Sequence, residues 1–299
     1  MFNPTRQLGR LACLAATVIA VAGSGASLHG SQSAAQQTGV PKQLLVNIYV
    51  TDKKNVPLTD VTLAELEVKE NGQTRTIQSA ELDQRPLAVA LILDNNSELS
   101  TSFMQSVVPA GIAAIRALPA GTTIDCWTTG DRPTHVAKAA NAADAEAALK
   151  GVAAIGTNTL LHTIAEASQA LPADEGHRTA VIVMTSGSLG DPGGFGVDQA
   201  LKATSNRPMF VSLELVVGQP DARVENMLEA VAGASGGYFD RVLSVTALEK
   251  RASALVALIN ARYRLAWEPS GDPRQTKFDF KCTRKGTKVI ASPRISAVL

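Results

Sequence analysis

The chain has 299 residues, 45% hydrophobic and 18% charged, with a formal net charge of +1. A near-neutral balance without a Lys/Arg run argues against a nucleic-acid partner, and aromatics at 4% are too few for base stacking or a carbohydrate-binding aromatic face. The length suits one large core or two domains of ordinary size.

At the N-terminus, Arg6 and Arg10 precede the apolar stretch "LACLAATVIAVAGSGA", and Ser33-Ala34-Ala35 offers small residues where a signal peptidase reads. This is the pattern of a secretory signal over residues 1–35, short for a membrane span of about 20 residues. An uncleaved anchor is the alternative. Cleavage would remove two of the 28 basic residues and none of the 27 acidic ones. It would also leave two cysteines, Cys126 and Cys282, which either pair in an oxidising compartment or stay as two thiols.

Residues 27–41 are small, polar and unpatterned, as in a linker. "QLLVNIYVTD" predicts a strand with Val46, Ile48 and Val50 on one face. "ELEVKENGQTRTI" predicts a hairpin around Asn71-Gly72, a dipeptide favoured in type I′ turns. From Pro86 the rhythm changes: apolar strands such as "LAVALIL" and "TAVIVMT" alternate with helical stretches as far as residue 261. That alternation predicts a doubly wound α/β domain at 86–261, its mostly parallel sheet covered by helices on both faces. The tail, 262–299, returns to β pattern, with Arg284-Lys285-Gly286 as an expected hairpin tip. It is expected to join the β segments of 36–85 in one accessory layer.

In such sheets ligands bind beyond the carboxyl ends of the strands, where strand order reverses. Three loops qualify: Asp94–Ser100, "GTNT" at 156–159 and "TSGSLGD" at 185–191. This order resembles the von Willebrand factor A domain: an Asp loop after the first strand, a Gly/Thr loop opening a helix, then strand-Thr-x-Gly. More narrowly, residues 44–298, including "LEAVAGASGGYF" and "ARYRLAWEP", are similar to the secreted VWFA-related proteins of Acidobacteria. The resemblance implies a Rossmann-like fold and a metal-ion-dependent adhesion site, built from Asp-x-Ser-x-Ser, a Thr and a third-loop Asp. Here Asp94 and Thr159 match, whereas Asn96 and Glu98 stand at the serine positions and Ser186 at the third-loop Asp. The implied metal site is therefore degenerate, holding Mg²⁺ or Ca²⁺ weakly if at all, with no other cofactor expected. Asn95, Ser97, Asn158, His162, Ser188 and Asp191 are expected on a partner-binding rim, and Ser100 as the cap of the following helix.

Other motifs lead elsewhere. Gly233-Ala-Ser235-Gly-Gly237 spells a nucleophile elbow but follows a helix and precedes a strand, the reverse of what that motif requires. His135, His162 and His177 lack zinc-ligand spacing, and "GDPGGFG" (190–196) lacks the Gly-Lys-Thr/Ser of a phosphate loop. The expectation is a non-enzymatic, extracytoplasmic module binding a protein or cell-envelope partner. The alternatives are a secreted hydrolase using Ser186 or Ser188 with His162 and Asp94, and a structural envelope component.

Overall fold

The computed structural model describes residues 42–97, 101–174, 176–188, 194, 196–204, 209–216 and 219–298. The expected leader, Glu98, Ser100 and Asp191 therefore lie outside the described residues. Residues 39–299 form one compact unit.

The chain opens with β1 (Gln43–Asp52), a short β2 (Pro57–Leu58), β3 (Leu66–Glu70), β4 (Gln73–Arg75) and β5 (Ile77–Leu82). Then β6 (Leu87–Leu93), α1 (Thr101–Ala117), β7 (Thr123–Thr128), β8 (Thr134–Ala140), α2 (Ala142–Lys150) and α3 (Leu160–Ala170) follow. Next come β9 (Arg178–Thr185), α4 (Val197–Thr204), β10 (Met209–Leu215), α5 (Ala222–Ser235), β11 (Tyr238–Val242) and α6 (Leu248–Asn260). The chain closes with β12 (Tyr263–Trp267), β13 (Phe278–Cys282) and β14 (Thr287–Val298).

The central sheet runs β11-β10-β9-β6-β7-β8. Its strands pair in parallel except β8, which lies antiparallel on the edge against β7. Every residue of β6 is buried because both faces are covered. Val89, Leu91 and Leu93 pack with residues of α1, α2 and α6 such as Phe103, Leu149 and Leu255. Ala88, Ala90 and Ile92 pack with Leu160, Ile164 and Leu228 from α3 and α5. The edge strand β8 was not expected. Its sequence "THVAKAA" is only partly buried and carries no clear alternation, so its strand state comes from pairing with β7 and from His135 stacking on Trp127, ring centroids 4.0 Å apart.

The remaining strands form two antiparallel sheets, β14-β1-β12-β5 with β2 attached to β1, and β13-β3-β4. They share a core in which Leu44, Val46, Ile48 and Val50 of β1 meet Val68, Tyr263, Leu265 and Trp267. The expected single accessory layer is thus two layers. The expected hairpin at 284–286 is likewise a crossing between sheets, since β13 and β14 belong to different ones. The Asn71-Gly72 turn does join paired strands β3 and β4, both residues at positive φ (48° and 83°), as a type I′ turn demands. The opposite face of β1 sends Tyr49 into the central core, where its hydroxyl donates to Gly237 O (2.8 Å). Cys126 and Cys282 are free thiols in different cores, so the pairing left open above does not form.

Candidate functional site

Strand order reverses at β6: β7 lies on one side of it and β9 on the other. The crevice of this fold class therefore opens beyond the carboxyl ends of β6 and β9. Asp94 stands there, its N–H donating to Met184 O (2.9 Å) and continuing the ladder one residue past the strand.

The Asp94 side chain is 0% exposed and accepts hydrogen bonds at both oxygens. Oδ1 takes Nδ2 of Asn96 (2.9 Å) and the hydroxyl of Thr129 (3.0 Å). Oδ2 takes the hydroxyl of Thr185 (2.9 Å), with the N–H and hydroxyl of Ser186 each at 3.3 Å. A buried carboxylate is tolerable only when its lone pairs are satisfied, and here donors from three loops do so. Thr129 went unnoticed in the sequence because it sits just past the end of an ordinary strand, and Thr185 enters there only as the start of the third loop. Their role exists only because β7 and β9 flank β6.

Asn96, Thr159 and Ser186 are brought to this network, but Thr159 does not reach Asp94. Its hydroxyl donates instead to Thr129 O, and its N–H to the same carbonyl (3.2 Å). The hydroxyl of Ser186 also donates to Ser188 Oγ (3.1 Å), and Asn158 Nδ2 reaches Ser188 O (2.8 Å) and Oγ (3.0 Å). Asn158 Oδ1 accepts from Leu160 N (2.8 Å), the first N–H of α3.

The rim differs from expectation in composition. Asn95 is 2% exposed, donating to Ala153 O (2.9 Å) and accepting from Gly130 N (2.9 Å); it ties loops together and cannot face a partner. Asn158 is buried for the same kind of reason. Ser97 is exposed, its N–H held by Gly156 O (2.8 Å), and Ser188 is half-buried. His162 points along its own helix to Glu166 (3.0 Å). Ile155, missed in the sequence, is 61% exposed beside Thr157, whose N–H is held by Asp131 Oδ1 (2.9 Å).

Glu214, near the end of β10 and beside Thr185 in the register, is a second buried carboxylate. Its Oε1 has no hydrogen-bond partner among the described residues, while Oε2 faces Arg241 Nε (3.4 Å). Burial pushes its carboxyl above the usual range, Glu225 pushes the same way, and Arg241 opposes both. Gly187, at φ 69°, leaves the space this carboxylate fills, because a Cβ there would strike Oε1.

The described donors do not make a hard divalent-cation site. Mg²⁺ asks for oxygens arranged octahedrally with negative charge among them. Here one carboxylate is enclosed by N–H and O–H groups, and the Asn96 amide presents its nitrogen. Among the described residues no three His, Cys, Asp or Glu side chains cluster to hold a metal.

No protein-family model matches the sequence. No curated protein sequence matches it either. Solved structures do match. A von Willebrand factor type A protein from Catenulispora acidiphila is 11% identical, covering 88% of this chain and 74% of that one with a TM-score of 0.53. Proximal thread matrix protein 1 from the mussel byssus is 18% identical, covering 62% of this chain and 49% of that one with a TM-score of 0.50. The chain thus has a von Willebrand factor type A fold, joined to an antiparallel β sandwich by its first and last strands.

Proposed function

We propose that this protein is an extracytoplasmic interaction module that binds a protein or cell-envelope partner at the carboxyl ends of the central strands, without a metal. The observation that carries this reading is the Asp94 network, which locks the ends of β6, β7 and β9 together and so presents Ser97, Ile155, Thr157 and Ser188 on a rigid platform. Preorganised loops lower the ordering cost of binding. The N-terminal Arg6, Arg10 and apolar run support export. Among the described residues no helix is long and apolar enough to cross a membrane.

The same geometry disfavours a hydrolase. Ser186 and Ser188 hydrogen-bond to each other and to Asp94 or amides, and the ring of His162 meets Glu166. A serine nucleophile needs a base within reach. A serine-directed phosphonate is expected to leave both residues unlabelled.

Calorimetry and melting curves with millimolar Mg²⁺, Mn²⁺ and Ca²⁺ test the metal-free reading. Neither saturable heat nor an ion-specific rise in Tm is expected. Saturable binding abolished by Asp94→Ala would overturn it. Binding of envelope extract to immobilised protein tests the face used: Ile155→Asp is expected to weaken capture, and Leu63→Asp, an exposed position in the β sandwich region, to leave it unchanged. The reverse order would place the partner elsewhere.

A further inference from the structure

At the opposite end of the central strands lies a polar cleft of ≈ 480 Å³, lined by residues that begin β9 and β10 and by the outward face of the β1 sheet. Asn47 and Arg264 face each other there across β1 and β12, and Ser296 of β14 stands nearby. Arg85 and Arg262 line the same space, and Arg178 lies close enough to act electrostatically on Arg262.

Among the described residues few carboxylates face these guanidinium groups. Asp83 holds Arg85 (2.7 Å) and Arg262 (2.9 Å) at once. Asp174 is engaged by His177 (2.8 Å). Glu81 lies opposite Arg264 in the register of β5 and β12, yet no ion pair joins them, and Arg264 makes no side-chain hydrogen bond among the described residues. Arg178 spends its Nε on Arg85 O (2.9 Å) and another guanidinium N–H on Ile259 O (3.3 Å), both neutral acceptors. Arg262 is only 8% exposed, and its Nε–H has no acceptor at all among the described residues. A buried guanidinium donor without an acceptor is costly. Guanidinium groups present forked N–H donors that match the paired oxygens of carboxylates and phosphates.

We propose that this cleft is an anion site: it takes an oxyanion group, phosphoryl or carboxylate, of a small polar ligand. Arg264 is the reachable arm that engages the ligand, Arg262 supplies buried positive charge behind it, and Asn47 borders the oxyanion. Nothing in this site depends on the loops around Asp94, so the two ends of the sheet would act independently.

Calorimetric titration of the full chain at constant ionic strength, chloride compensating, tests the idea with inorganic phosphate and with citrate. Binding of at least one with Kd on the order of 1 mM or tighter is expected, together with a rise in Tm beyond that in chloride. Phosphate alone binding would assign a phosphoryl ligand, citrate alone a carboxylate, and both the general class. Arg264→Gln should weaken binding about tenfold or more. Asn47→Asp, which sets a carboxylate beside Arg264, should do the same, and it keeps the location testable if the first variant folds poorly. Arg132→Gln, at an exposed position far along the chain, should bind as the parent does. Absence of saturable binding by either anion, or undiminished binding in both cleft variants, would overturn the proposal.

Discussion

Asp94 and Glu214 are two buried carboxylates on either side of β9 that meet opposite fates. Five neutral donors surround the first, and the second keeps an oxygen without a partner among the described residues. For Glu214 the sign follows from burial raising its folded pKa. Its contribution to stability is complete below the ordinary carboxylate range and is lost as pH rises through the raised value. Glu214→Gln is therefore expected to melt higher than the parent at about pH 8, with the gap closing toward about pH 4. Melting curves across that range check it, and a constant gap would mean that the charge is not the cause. Cys126 is a simpler case. Burial, reinforced by the charge of Asp125, pushes its thiol up to about 12. Under native conditions Cys282 should react with a thiol reagent and Cys126 should not, as peptide mapping by mass spectrometry would read directly.

The elements show where local pattern suffices and where it does not. The β3–β4 hairpin is legible in residues alone, since Asn71-Gly72 supplies the left-handed pair that a two-residue turn requires. Open space surrounds Gly72, so a side chain there meets only backbone strain at φ 83°. Gly72→Val is expected to lower stability by about 1–2 kcal/mol, measured by urea unfolding, without altering the central sheet. Gly187 is different, because its strain and its contact with Glu214 coincide, and only the approach of β10 to the third loop reveals the contact. β8 escaped sequence reading for the converse reason: an edge strand needs little apolar pattern when its neighbour supplies the ladder.

The whole molecule is organised around two chain crossings that lie side by side. The chain enters the α/β layer after Asp83 and leaves it at Arg262, and Asp83 N–H donates to Arg262 O (2.8 Å). Burial would raise the Asp83 carboxyl, but the hydrogen bonds of Arg85 and the charges of Arg262 and Arg85 outweigh it and hold the value at about 2. Its stabilisation is present above the ordinary carboxylate pKa and is lost as pH falls toward about 2. Asp83→Asn should therefore cost about 3 kcal/mol at neutral pH, because two guanidinium groups lose their carboxylate, and the penalty should shrink in acid. Tm measured against pH for both proteins checks it.

Much was already determined by the sequence: alternating apolar strands and amphipathic helices dictate a doubly wound sheet, because strands apolar on both faces must be covered on both faces. The same reasoning led to the crevice and named Asp94, Asn96, Ser186 and Thr159. Whether those groups hold an ion, one another or a neighbour's backbone was decided by tertiary structure, since the donors to Asp94 come from strands far apart in the chain. Asn95 was placed wrongly on the rim for that reason: an amide's partners, and hence its exposure, depend on loops that meet only after folding. The β sandwich shows the same limit at larger scale. Period-two patterns reveal strands but not which sheet each joins, a choice made by long-range pairing and by the shared core around Trp267.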